Sequence, residues 1–78
     1  MDAADALRNW RLVVAGDISL LKASRILDCD PAQISKIENR LQRPGLALAG
    51  RIEKKTGIKM GRWADVDVKP AKSKRAAA

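Results

Sequence analysis

The stretch SLLKASRILDCDPAQISKIENRLQRPG, residues 19–45, contains two short helical patterns that are separated by a tight turn. Ser19 is a favourable N-cap for the first of these helices. The apolar residues that follow it share one helical face, and they are Leu20, Ala23 and Leu27. Asp28 opens the turn, and Asp tolerates the left-handed backbone conformation that a tight turn requires better than most residues do.

The second helix has the strongest start signal in the sequence. Asp30 is a good N-cap, Pro31 suits the first helical position, and Gln33 occupies the capping-box position. These signals predict a helix over residues 31–40. Its buried stripe is expected to consist of Ile34, Ile37 and Leu41.

A helix is also predicted on the N-terminal side of this pair. It begins at an Asp2 cap, continues to about Val14, and has an apolar face formed by Leu7, Trp10 and Val14. Gly16 then ends it, because glycine adopts a left-handed conformation without steric cost.

On the C-terminal side, a fourth helix is predicted from Leu46 to Thr56, with Gly57 as its stop. Leu48 and Ile52 are expected to point inward, and a short fifth turn at residues 59–63 closes the core. The inward residues of this last part are Ile58 and Trp63.

These patterns together predict an all-α fold. Residues 1–64 are expected to form one compact domain of four to five helices, with a helix-turn-helix formed by helices 2 and 3. Residues 65–78 are predicted to be a basic, disordered tail, because Val66 and Val68 are its only large apolar residues.

The basic charge is concentrated in one part of the chain. The sequence has 16 Lys and Arg against 9 Asp and Glu, a net charge of +7. Residues 1–30 contain four basic and five acidic side chains, whereas residues 31–63 contain eight basic and two acidic ones. A basic segment of this kind suits a phosphate-binding surface, although a solvated face that aids solubility would have the same composition.

Several classes of protein do not fit this composition. The single cysteine, Cys29, forms no internal disulfide, and the absence of His argues against a zinc site and against the usual catalytic base. We therefore expect no enzyme activity, no metal and no cofactor, and we interpret Cys29 as a small core residue. The lack of a long apolar run and the acidic start predict a cytoplasmic protein with no membrane contact and no signal peptide.

The outward face of the second helix of the pair carries polar side chains at helical spacing. Gln33, Lys36 and Arg40 lie at positions i, i+3 and i+7 and form one stripe. A Gln amide pairs bidentately with adenine and a Lys donates to guanine in the DNA major groove. The alternative is that Gln33 only caps its helix and Lys36 is only solvated.

The run from Ser19 to Asn39, followed by Arg43 and Pro44, resembles the helix-turn-helix of phage Cro and repressor proteins. The segment ISKIEN at residues 34–39 and the Arg-Pro after it are the most specific part of this resemblance. Residues 51–58, RIEKKTGI, are similar to the family's fourth helix and its glycine stop. The resemblance extends over about residues 7–63.

The resemblance implies roles for individual residues. Contacts to DNA bases are implied for Pro31, Ala32, Gln33 and Lys36. Contacts to the phosphate backbone are implied for Ser35, Asn39, Arg40 and Arg43. A structural ion pair is implied between Arg11 and Glu38, and it would explain an acid inside a basic segment.

The sequence also departs from the family's pattern at several positions. Ser24 stands where a small Ala is usual, and Pro31 leaves the first base-facing position without a hydrogen-bonding side chain. Leu20 stands where a Gln often contacts phosphate, and Asp28 replaces the usual turn glycine. Arg40 replaces the glycine after Asn39, so we expect it to lengthen helix 3 and to add a phosphate contact.

The resemblance implies a sequence-specific, double-stranded DNA-binding repressor of phage or prophage type. It would bind a palindromic operator as a homodimer, with no small-molecule ligand, and its dimer contact is expected within residues 63–68. The alternative is an antitoxin-type protein that binds a partner protein through its tail and its own operator through the same domain. A general nucleic-acid or RNA binder is a third reading, but Trp10 and Trp63 look internal and leave no aromatic side chain for base stacking.

Overall fold

A computed structural model describes residues 1–68 of the chain. Within this part the fold is all-α, as predicted, and it contains no strand. The helices are α1 (Ala3–Asn9), which continues as a π-helical segment at Trp10–Val14, α2 (Leu20–Leu27), α3 (Pro31–Glu38), α4 (Leu46–Thr56) and a final 3-10 helix at Met60–Asp65. Most of the predicted tail, residues 69–78, lies outside the described residues.

Three predicted N-caps are formed. The Asp2 carboxylate accepts a hydrogen bond from the Asp5 N–H at 2.9 Å, and the Ser19 hydroxyl accepts one from the Lys22 N–H at 3.1 Å. Asp30 Oδ1 accepts one from the Ala32 N–H at 3.0 Å. Each cap satisfies a backbone donor that the first helical turn leaves free.

The predicted capping box at α3 is not formed. Within the described part of the chain, Gln33 contributes only its backbone N–H, which donates to the Asp30 carbonyl oxygen at 2.9 Å. Its side-chain amide makes no return hydrogen bond to the cap, so the amide remains available for another partner.

The turns of the chain use left-handed residues where the sequence predicted them. Asp28, between α2 and α3, has a φ of 56°, and Gly57, after α4, has a φ of 83°. Gly16 also lies in this region, with a φ of 89°. Asp28 and Gly57 are the C-caps of α2 and α4, and Gly16 follows Ala15, the C-cap of the π-helical segment, so the chain reverses direction at each of these points.

The core gathers apolar residues from every helix. Its fully buried large side chains are Leu7, Leu27, Ile34, Ile37, Ile52 and Val66. Leu48, Ile58 and Trp63 are also buried, as the sequence predicted. Burial of such side chains stabilises a domain by about 1.5–3 kcal/mol each, and α3 is held in place mainly by this contribution.

Two predicted core residues lie on the surface instead. Val14 is 68% exposed because the backbone between Trp10 and Val14 is π-helical, which rotates Val14 away from the face of Leu7. Leu41 is 41% exposed because α3 ends at Glu38 rather than at Arg40, so Leu41 no longer follows the helical period.

The compact unit continues beyond the predicted boundary at residue 64. Val66 is buried in the core cluster and Val68 packs against it. Within residues 63–68, where the dimer contact is predicted, Trp63 and Val66 are covered by their own chain, so a contact there would use the exposed Ala64, Asp65 and Asp67. Val66 is for the same reason not the exposed anchor that an antitoxin-type tail would use.

Candidate nucleic-acid interface

Helices α2 and α3 pack closely, and only residues 28–30 separate them. Arg51 on α4 holds the end of α2 in place. Its Nε donates to the Leu27 carbonyl oxygen at 2.9 Å and its Nη2 to the Asp28 carbonyl oxygen at 3.1 Å. These bonds satisfy carbonyls that the end of α2 leaves free, and they fix the direction in which α3 starts.

The first turn and a half of α3 carries the predicted base-contacting residues. Ala32 and Lys36 are exposed, and Pro31 and Gln33 are partly exposed. A shallow groove of about 300 Å³ runs along this face, and it is lined by Asp30, Ala32, Gln33, Lys36 and Gln42. Lys36 forms no ion pair within residues 1–68, so its ammonium group is free to donate.

Gln42 in this groove was missed by the sequence analysis. It lies in the loop between α3 and α4, where no periodicity connects it with the α3 face. The early end of α3 brings the loop back beside Lys36, as shown by the hydrogen bond from the Leu41 N–H to the Lys36 carbonyl oxygen at 2.8 Å.

The end of α3 is tied to α1 through Asn39. The Asn39 amide donates to the Ser35 carbonyl oxygen at 2.8 Å, and its Oδ1 accepts from Arg8 Nη2 at 3.0 Å. Ser35 is partly exposed and Asn39 is exposed, so both remain accessible. Arg8 is a second residue that the sequence analysis missed, although it lies three positions before Arg11 on the same helical side.

The predicted ion pair between Arg11 and Glu38 is confirmed. Arg11 Nε and Nη2 donate to the two carboxylate oxygens of Glu38 at 2.7 and 2.9 Å. The Glu38 side chain is 2% exposed and that of Arg11 is 15% exposed. The hydrogen bonds to Glu38 raise the pKa of Arg11, and the charge of Glu38 adds to this effect.

The π-helical segment explains how Arg11 reaches this position. The Ala15 N–H donates to the Trp10 carbonyl oxygen at 2.7 Å, five residues back. Arg11 forms two hydrogen bonds with the backbone of Ile18. The Arg11 carbonyl oxygen accepts from the Ile18 N–H at 3.0 Å, and Arg11 Nη1 donates to the Ile18 carbonyl oxygen at 3.1 Å. The backbone and the guanidinium group of Arg11 are therefore both held by Ile18, just after the π-helical turn, and this positions Arg11 for the ion pair with Glu38.

Arg40 does not extend α3, contrary to the prediction. Its φ of 59° lies in the left-handed region and ends the helix after Glu38. The guanidinium group lies away from the stripe of Gln33 and Lys36 and binds the carboxylates of Asp2 and Asp5. The hydrogen bond to Asp2, followed by that to Asp5, raises the pKa of Arg40.

Arg43 is exposed but also has an internal partner. Its Nη2 donates to the Val66 carbonyl oxygen at 2.6 Å and so connects the loop after α3 with the C-terminal segment. A guanidinium group has five N–H donors, and this bond uses one of those of Arg43.

No protein-family model, curated protein or solved structure matches this chain. The resemblance to Cro and repressor proteins is therefore a prediction that rests on the residues alone. Within residues 1–68, no cluster of three or more His, Cys, Asp or Glu side chains is arranged to hold a metal ion. None of the helices in this part of the chain has the length and apolar character that crossing a bilayer requires.

Proposed function

We propose that this protein binds double-stranded DNA in a sequence-specific manner and acts as a small Cro-like repressor. The observation that supports this most strongly is the groove along α3, which is lined by Gln33 and Lys36, two polar side chains with no hydrogen-bond or ion-pair partner within residues 1–68. Lys36 points away from the buried Ile34 and Ile37, whereas Gln33, four positions before Ile37, lies at the border of the buried face and is partly exposed. An exposed polar face on a helix whose other face is fixed in a core is what major-groove recognition requires.

In the proposed mechanism, α3 enters the major groove and its first turns face the base edges. The Gln33 amide donates to and accepts from one adenine, and the Lys36 ammonium donates to the O6 and N7 acceptors of a guanine. Pro31 and Ala32 add apolar contact with thymine methyl groups. Ser35, Asn39 and Arg43 flank this face and are proposed to contact phosphates, which position the helix without reading sequence.

A homodimer on a palindromic operator is part of the proposal. A single module of this size buries little surface on DNA, and two copies spaced by one helical turn, roughly 34 Å, read two half-sites at once. A bound dimer that overlaps a promoter represses transcription sterically and needs no effector.

The experiment that tests this proposal is the selection of bound duplexes from a random-sequence pool, with the full chain as bait. We expect an enriched consensus with two-fold symmetry and half-sites one helical turn apart. Enrichment of an asymmetric site would contradict the dimer. Recovery of no consensus at all would contradict sequence-specific binding and favour a nonspecific binder or a protein-interaction function.

Arg43→Ala is expected to weaken binding to every duplex by a similar factor. Because Arg43 is proposed to contact phosphate only, the variant should lower the slope of log K against log salt by about one and leave the consensus unchanged. Titrations at several salt concentrations, on operator and random duplexes, measure this slope. Lys55→Ala on α4 is a matched control for the loss of one exposed positive charge. A change of preferred sequence in Arg43→Ala would show that this residue reads bases.

A further inference from the structure

Arg40 is held by two carboxylates from the N-terminal end of the chain. Its Nε donates to Asp2 Oδ2 at 2.9 Å and its Nη2 to Asp2 Oδ1 at 3.0 Å. The same Nη2 lies 2.9 Å from Asp5 Oδ1. We call these three residues the Arg40 clamp.

The clamp joins the part of the chain that follows α3 to the start of α1. Arg40 has a left-handed backbone, which is costly for a residue with a Cβ atom, and its bidentate bond to Asp2 helps to hold this conformation. Asp2 has a second task, because its Oδ1 also accepts from the Asp5 N–H and caps α1. The Asp5 carboxylate forms no other ion pair within residues 1–68 than the one with Arg40.

The clamp is accessible to solvent, in contrast to the Arg11–Glu38 pair. The side chains of Arg40, Asp2 and Asp5 are 30%, 27% and 47% exposed. An ion pair with this exposure is screened by salt and contributes little net stability. A competing anion therefore replaces it far more readily than it would replace the buried carboxylate of Glu38.

A phosphodiester group of DNA offers Arg40 the same chemistry as these carboxylates. Both present two anionic oxygens in a geometry that a guanidinium group binds through parallel N–H bonds. We propose that Asp2 and Asp5 compete with DNA phosphates for Arg40, and that this competition lowers the sequence-independent part of the DNA affinity. The inference rests on the proposed DNA binding, and it makes the two acids determinants of the ratio of specific to nonspecific binding.

The closing experiment is a double-mutant cycle of Asp5→Asn and Arg40→Ala on a random-sequence duplex. Asp5→Asn removes one arm of the clamp and keeps the Asp2 cap of α1. We expect it to strengthen nonspecific binding by about threefold at low salt and to steepen the salt slope by less than about one, because Asp2 still competes with phosphate for Arg40. In the Arg40→Ala background the same substitution should act no differently from Asp67→Asn, a control that removes an exposed acid outside the clamp.

An equal gain from Asp5→Asn in both backgrounds would overturn the inference, because the acid would then act by general repulsion. A second measurement uses the unaltered chain. The NMR signal of the Arg40 Nε–H, hydrogen-bonded to Asp2 in the free protein, should shift when random duplex is added. If it stays in place while the signals of Gln33 and Lys36 shift, DNA binding is retained and the competition is refuted. If no signal shifts and no duplex binds, the proposed function itself fails, and this inference with it.

Discussion

Glu38→Ala is expected to destabilise the domain by about 3–5 kcal/mol, the usual cost of removing one partner from a buried ion pair. The substitution leaves the Arg11 guanidinium, which is 15% exposed, without its carboxylate. It also removes the acceptor of the weaker Arg8 contact, at 3.4 Å. Domains of this length have a total stability of roughly 4–12 kcal/mol, so the variant should be largely unfolded in mild denaturant.

Urea unfolding followed by tryptophan fluorescence measures this loss, since Trp10 and Trp63 are both buried. Glu53→Ala is a control at a more exposed acid, which pairs with Lys59 at 3.6 Å and accepts a hydrogen bond from the Met60 N–H at 3.2 Å, and it should cost no more than about 2 kcal/mol. Replacing Arg11 and Glu38 together by apolar residues should recover part of the lost stability. A loss in Glu38→Ala no larger than that of the Glu53 control would contradict the assignment of this pair as a core element.

Gln33→Ala and Lys36→Ala are each expected to weaken operator binding by about 1–3 kcal/mol, or roughly five- to 150-fold. Each variant should also relax discrimination at one base pair, because the deleted side chain is the one that distinguishes the correct base. Stability should change little, since Lys36 is exposed and the Gln33 amide makes no internal hydrogen bond within the described residues.

Competition titrations with operators mutated at single base pairs measure both effects. Lys54→Ala, on the exposed side of α4, controls for the loss of one positive charge and should reduce affinity without relaxing discrimination. If both α3 variants bound every duplex as the parent chain does, base recognition by α3 would be ruled out.

Local signals predicted the helix starts well. The three N-caps at Asp2, Ser19 and Asp30 form bonds within their own first turn, and such bonds depend on residues two or three positions apart. The left-handed stop at Gly57 is equally local. The Arg11–Glu38 ion pair was predicted from the resemblance to a family and not from local signals.

The end of α3 was not predictable in this way. The helical spacing of Ile34, Ile37 and Leu41 predicts a helix that includes residue 40, and the Arg at this position is a good helix former. The helix stops at Glu38 and Arg40 takes a left-handed backbone conformation, in which its side chain meets Asp2 and Asp5, 38 and 35 positions away in sequence. The placement of Gln42 in the groove and the exposure of Leu41 both follow from this early end.

The sequence by itself determined the helical class, the starts of the helices and the concentration of basic charge after residue 30, because each depends on composition or on contacts within one turn. The tertiary structure alone decided which of those charges are free. Lys36 has no ion-pair partner in the described chain, whereas Arg40 is bound by two acids and Arg43 holds a backbone carbonyl. A cation's availability depends on the neighbours that folding brings to it, and these neighbours lie far away along the chain.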